Sequence, residues 1–311
     1  MRDDLAVSPS DRTLSGRTVL VTGAARGIGA EVSQRLAARG AQVALVDLDA
    51  AAVETVAAEC PGSVALVADV TDADALQAAV KEAVARFGGI DVVLANAGIA
   101  SVGMVRSIDP AAFERTIEIN LLGVWRTVRA CLPYVIERRG YILPTASLAA
   151  AAHSPGMAAY AASKAGVEAF ADCLRAEVAH LGVSVGCAYF SFIDTPMVRG
   201  ADATAVGAAM KAELKGPLGR SYPVADAAEA VLRGIERRSR RVVAPGWVRG
   251  MLLARDVLQP LAERLGRASV PEADRIALAE VERRGAAAAS APVGAGGAAE
   301  VAARGAARPD G

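Results

Sequence analysis

Tyr160 and Lys164 stand four residues apart in the run YAASK, 160–164. That spacing puts two side chains on one face of a helix. A free tyrosine, with a pKa of about 10, is a poor acid or base near neutrality. A lysine on the same face favours the tyrosinate through its positive charge. The chemistry such a pair can do is proton transfer at an oxygen: to a carbonyl being reduced, or from an alcohol being oxidised. Ser147 ends an apolar run thirteen residues earlier and can hydrogen-bond the same oxygen. Tyrosine–lysine pairs also occur on many solvated helices, so the case rests on the rest of the chain.

The elements that would position this pair are legible as alternation. Short Val/Leu-rich runs at 18–21, 42–47, 63–68, 91–96, 141–145 and 184–188 are separated by helical stretches at 28–39, 50–60, 72–87, 110–137 and 159–181. A further run at 241–244 follows a helical stretch at 224–237. This predicts an α/β fold, a Rossmann-type doubly wound parallel sheet of about seven strands in a single domain. Residues 16–246 would form the dinucleotide-binding catalytic domain. Residues 1–15 read as a flexible polar arm, 247–284 as an amphipathic helical extension and 285–311 as a disordered Ala/Gly-rich tail.

The first apolar run leads into TGAARGIG, with Thr22, Gly23, Arg26, Gly27, Ile28 and Gly29. A glycine turn between strand and helix lets backbone approach a pyrophosphate, and the helix N-terminus offers free N–H groups. Asp47 ends the second run, twenty residues after Gly27, where a carboxylate accepts from ribose hydroxyls and repels a 2′-phosphate. Arg26 pulls the other way, toward a 2′-phosphate, but the ribose contact dominates. NAD is expected over NADP. Asp69 and Val70 follow the third run; Asp69 is placed to meet the adenine amino group, or to cap the helix that starts near Asp72. Asn96, Ala97 and Gly98 end the fourth run, where small residues let the chain pass close to the cofactor or simply turn.

TGAARGIG, the Asn-Ala-Gly at 96–98, Asn120, Ser147 and Tyr160 with Lys164 together resemble the short-chain dehydrogenase/reductase family over about residues 15–245. The resemblance implies an NAD(P)-dependent oxidoreductase interconverting a secondary alcohol and a ketone. It gives Tyr160 the role of general acid/base, Lys164 that of its tuner and ribose anchor, Ser147 that of polariser, and Asn120 the support of a water relay. It also implies a homodimer or homotetramer paired through the helices at 110–137 and 159–181. The chain departs from the family pattern after the sixth run. Phe190 and Ser191 replace a Pro-Gly, while Thr195, which in the family reaches the nicotinamide amide, is kept.

The substrate side falls to 99–109, 148–159 and 189–222, where Met104, Val105, Met157, Phe190, Phe192 and Met197 predict an apolar ketone or alcohol. His153 reads as a solvated loop residue near that side, and His180 as a cap partner at a helix end. In 247–266, Trp247, Met251, Leu252, Leu253, Val257 and Leu258 form one apolar face for the core or a second subunit. Peripheral membrane contact, helped by Arg237, Arg238, Arg240 and Arg241, is the minor alternative.

Composition narrows the classes. Basic and acidic residues balance at 34 each, so no overall field favours nucleic acid. Cys60, Cys131, Cys173 and Cys187 are scattered and read as buried small hydrophobes in a reducing compartment. The polar start and the absence of a long apolar run predict a cytoplasmic protein, and no metal site is expected. The rival reading is a non-catalytic NAD-binding sensor or structural subunit. The full set Asn120, Ser147, Tyr160 and Lys164 favours the enzyme, because a mere binding module has no use for Tyr160.

Overall fold

The computed structural model describes residues 13–214 and 216–307. Most of the expected arm and the last four residues lie outside this range, although Leu14 at the arm's end is buried in the core.

Six parallel strands form the main sheet: β1 (Thr18–Thr22), β2 (Gln42–Asp47), β3 (Val64–Val67), β4 (Val92–Ala95), β5 (Tyr141–Pro144) and β6 (Ser184–Val185), in the order β3-β2-β1-β4-β5-β6. Helices α1 (Gly27–Ala38), α2 (Ala50–Ala58) and α3 (Ala73–Phe87) make the first crossovers. Between β4 and β5 run α4 (Pro110–Ile117) and α5 (Gly123–Glu137), and α6 (Ala158–Val178) follows β5. Each face of the sheet carries its own apolar cluster, Leu20, Val93 and Ile142 on one side and Val19, Leu94 and Leu143 on the other. Strands covered on both faces explain the near-continuous Val/Leu runs. Asp91 fixes the β1–β4 register by accepting from Thr18 N at 2.9 Å and from Arg17 at 3.0 Å. Strand order reverses between β1 and β4, which opens a crevice at their carboxyl ends.

The expected sixth strand is broken. β6 ends at Val185, and β7 (Cys187–Phe190) pairs in parallel with β8 (Arg241–Ala244), tied back to the main sheet by a Thr145–Ala188 bridge. The break falls at Gly186, where an added Cβ would overlap the Tyr141 hydroxyl and the Ser239 carbonyl. These two groups are themselves hydrogen-bonded at 2.7 Å.

The helical stretch predicted over 110–137 is also interrupted, by one turn of π-helix at Glu118–Leu122 that carries Asn120. Single π turns inside helices recur at functional sites. The aperiodic 189–222 region holds α7 (Pro196–Asp202) and α8 (Ala205–Glu213), each started by a threonine cap, Thr195 and Thr204. Short helices of seven and nine residues leave too few turns to show a period.

Beyond α9 (Val224–Arg237) and β8, the extension forms α10 (Val248–Gly266) and α11 (Val270–Arg284). One stripe of α10 packs as expected: Val248 and Leu252 are buried, with Trp247 and Met251 beside them. Arg255 anchors the helix to α6 through Glu168 at 2.8 Å, and Glu168 also accepts from Tyr189 at 3.0 Å. Leu253 and Val257 do not share that face; they point outward, 72% and 73% exposed, with Leu261 one turn on. Among the described residues no helix is long and apolar enough to cross a membrane.

The tail overturns the expectation of disorder. Ala286–Ala289 form α12 and Gly294–Ala307 form α13. Such a composition cannot build a core of its own, but it can lie on one already built, because small residues allow backbones to touch. A Cβ on Gly200 of α7 would overlap Gly294 N. Val293 N donates to the Ala100 carbonyl at 2.9 Å, and Asp109 N donates to Ser290 Oγ at 3.1 Å.

Candidate active site

The crevice at the carboxyl ends of β1, β4, β5 and β7 is one cavity that brings together most of the predicted site residues. Gly23, Arg26, Gly27, Ile28, Asp47, Asp69, Val70, Asn96, Ala97, Gly98, Ser147, Tyr160, Lys164 and Thr195 all line it. Thr22, Gly29 and Asn120 stand behind the wall as supports.

At the cofactor end, the glycines are required by close approach. Gly23 has φ +68°, and a Cβ there would come within 2.8 Å of Ala97 Cα; a Cβ on Gly29 would overlap the Gly23 carbonyl. Thr22 Oγ1 accepts from Asn96 N at 3.1 Å and Ala97 N at 3.2 Å, locking the β4 turn against the glycine turn. The α1 N-terminus has no side-chain cap. Its first N–H groups are left for an anion, which is the fit a pyrophosphate needs.

Asp47 Oδ2 accepts from Ala25 N at 3.0 Å and Oδ1 from Asp49 N at 3.1 Å, so its carboxylate is fixed at the cavity edge. Arg26 is not merely solvated. It pairs with Asp49 at 2.5 Å, and the guanidinium holds the Asp49 carboxyl below the usual range. Asp69 does not cap α3; Asp72 does, accepting from Asp74 N and Ala75 N at 3.0 Å. Asp69 instead accepts from Thr71 N at 2.8 Å and Arg115 at 3.2 Å.

At the reacting end, α6 carries Tyr160 and Lys164 on one face. Lys164 Nζ lies 5.6 Å from the Tyr160 ring centroid and donates to the Thr145 carbonyl at 2.8 Å. Lys164 is buried, and desolvation lowers its pKa to about 8. Burial raises the Tyr160 pKa, and a hydrogen bond with Ser147 opposes the rise. Ser147 Oγ also accepts from Ala149 N at 3.1 Å and donates to the Phe190 carbonyl at 3.4 Å. Asn120 is wholly buried; its side chain accepts from Ile99 N at 2.8 Å and donates to Ile99 O at 2.9 Å and Ser163 Oγ at 3.1 Å. Asn120 is thus a brace that joins the π turn to the chain after β4 and to α6.

The substrate side differs from expectation in detail. Phe190 and Met197 line the cavity. Met104 and Met157 do not; together with Val206 they pack under Ala273 and Ala277 of α11. Val105 is exposed and Phe192 half-buried. His153 is exposed, and its backbone is bonded to Gln259 of α10. His180 sits exposed in a short 3-10 turn, Ala179–Leu181. Cys60, Cys131 and Cys187 are buried, with Cys60 raised to about 11 and Cys187 to about 12 by desolvation; Cys173 is exposed. Among the described residues no group of His, Cys, Asp and Glu could hold a metal.

The altered Phe190–Ser191 segment continues β7 rather than turning at once, since Ser191 N donates to the Ala244 carbonyl at 3.0 Å. Ser191 Oγ is buried in the cavity wall without a partner. Thr195 Oγ1 accepts from Val198 N at 3.3 Å and caps α7 across from Gly27. The residues at the site that the sequence did not reveal are Arg115, Val293, Gly296, Gly297 and Glu300. The tail residues gave no signal because an Ala/Gly helix has no apolar period to detect.

The family model for short chain dehydrogenases matches residues 17–205. The chain belongs to the short-chain dehydrogenase family. It is similar to the 2-dehydro-3-deoxy-L-rhamnonate dehydrogenase (NAD(+)) of a Sphingomonas species, 35% identical over 59% of this chain and 75% of the relative. It is likewise similar to the 3-oxoacyl-[acyl-carrier-protein] reductase of Staphylococcus aureus, 34% identical over 58% of this chain and 76% of the relative. Among solved structures, a short-chain dehydrogenase from Mycobacterium paratuberculosis bound to NAD matches with TM-score 0.68 and 31% identity, covering 74% of this chain and 97% of that one. The family match stops at residue 205, ahead of α9 through α13.

Proposed function

We propose that this protein is an NAD-dependent dehydrogenase/reductase that interconverts a secondary alcohol and a ketone, with Tyr160 as general acid/base. The observation that carries the reading is the shared cavity: Tyr160, Ser147 and Lys164 face the same space as the glycine turn and Asp47.

The nicotinamide, when bound, supplies or accepts the hydride. The chain's own groups do the rest. Ser147 Oγ and the Tyr160 hydroxyl together hold the substrate oxygen. In the reducing direction the Tyr160 hydroxyl gives its proton to that oxygen; in the oxidising direction the tyrosinate takes it. Lys164 stabilises the tyrosinate through its charge, and burial keeps the phenol protonated in its absence. Asn120 holds α6 and the chain after β4 at a fixed spacing.

Asp47 accepts from the adenosine ribose and disfavours a 2′-phosphate, while the Asp49 pairing keeps Arg26 from recruiting one. Asp69 meets the adenine amino group and Thr195 the nicotinamide amide. The cavity's apolar members, Phe190, Ile193 and Met197, favour an apolar substrate. The exposed Leu122 and Trp125 on the α4–α5 side support pairing of two copies through that face. The test is a screen of apolar secondary alcohols and ketones with NAD(H) and NADP(H). Turnover with NAD that falls with Tyr160→Phe supports the reading, whereas NADH binding without any turnover supports the sensor alternative.

A further inference from the structure

Glu300 is a carboxylate on an alanine–glycine helix, and it is almost wholly buried, 2% exposed. Burying an ionised carboxylate is costly unless it is paired. Its partner is Arg115 of α4, whose Nε donates at 2.6 Å. The other two nitrogens of that guanidinium reach Asp69 Oδ2 and Thr71 Oγ1, both at 3.2 Å. The C-terminal helix is therefore wired, through one arginine, to the carboxylate placed for the adenine.

The same helix forms a wall of the cavity. Val293, Gly296, Gly297 and Glu300 line it opposite Gly23 and Asp47, and Gly296 lies beside the Arg26 side chain. Otherwise the helix rests on α7 by backbone contact, Gly294 against Gly200 and Pro196, and not by large apolar side chains. Its side chains are mostly Ala and Gly, and the segment ahead of it is tied by the Val293–Ala100 and Asp109–Ser290 bonds. Segments with few apolar contacts open at low free-energy cost.

Resting on the dinucleotide reading above, we propose that residues 290–307 are a cover that closes on the adenosine half of the bound cofactor and slows its release. Glu300 is its positioning residue, acting through Arg115 and Asp69. The cover opens for exchange about Gly285, which stands ahead of it at positive φ with open space around it, and the ion pair sets how often it does so.

The experiment uses the full chain and NADH. Hydrogen exchange across 286–307 is followed with and without NADH, and NADH dissociation is followed by stopped flow in wild type, Glu300→Gln and Glu300→Ala. Expected are slower exchange in the segment when NADH is bound and a dissociation rate about tenfold higher in both variants. A purely structural role would lower Tm and leave the dissociation rate where it was. Bound NADH with unchanged exchange in the segment, or variant dissociation rates within about twofold of wild type, overturns the cover alone. A wild-type chain that does not bind NADH overturns the dinucleotide reading with it.

Discussion

Lys164 places its ammonium 5.6 Å from the centre of the Tyr160 ring while bonding the Thr145 carbonyl at 2.8 Å. The end of β5 thus fixes the lysine beside the tyrosine ring. Burial drives both groups toward their neutral forms, and the Ser147 hydrogen bond opposes the rise at Tyr160.

This burial costs stability. The Lys164 pKa is about 8 in the folded chain and about 10.4 unfolded. Between those values the unfolded chain holds more protons, so stability rises with pH; below about 8 the penalty is fully present. Lys164→Met is expected to remove it and to stabilise the protein at pH 7 by about 1–3 kcal/mol, reduced by the lost Thr145 bond. Denaturant melts at pH 7 and pH 10 check this: the gain shrinks at the higher pH while turnover is lost at both.

Asn120 makes its three bonds at a site with no access to water. Asn120→Ala orphans a buried amide and a buried carbonyl of Ile99, at about 1–3 kcal/mol each. Urea unfolding should show a loss of about 2–6 kcal/mol, and the π turn should relax to regular helix in a crystal structure of the variant.

On the proposed reading, cofactor choice depends on two carboxylates with different tasks. Asp47 is held at the cavity edge by Ala25 N, and Asp49 pairs with Arg26. Asp47→Asn with Asp49→Asn removes the like charge and frees the guanidinium. The ratio of kcat/KM for NAD to that for NADP should fall by about tenfold or more; Asp49→Asn alone should move it less.

Much of this site was legible because its residue types are forced by local geometry. Gly23 and Gly29 touch neighbouring backbone, Tyr160 and Lys164 share a helix face, and Asp47 ends a strand. Those constraints leave residue types that can be read one position at a time, even where, as at Gly23, the neighbour is as distant in sequence as Ala97. The β6–β7 break was not legible, since it depends on Tyr141 and Ser239 meeting Gly186 from distant segments. The outward turn of Leu253 and Val257 depends on which stripe of α10 meets the core, Val248 and Leu252. The folded tail was hidden for a deeper reason: its ordering comes from Gly294 on Gly200 and Glu300 on Arg115, contacts between segments almost a hundred residues or more apart. Met104 and Met157 looked available to substrate only because α11, which covers them, carries small residues at Ala273 and Ala277.

The central claim is that Tyr160 moves the proton while NAD moves the hydride. Its most direct measurement is the rate of NADH formation from an apolar secondary alcohol turned over by the wild type, compared with Tyr160→Phe at matched cofactor occupancy. The account predicts that NADH still binds the variant while kcat falls by about 10²–10⁴-fold. A Tyr160→Phe protein turning over at the wild-type rate contradicts it.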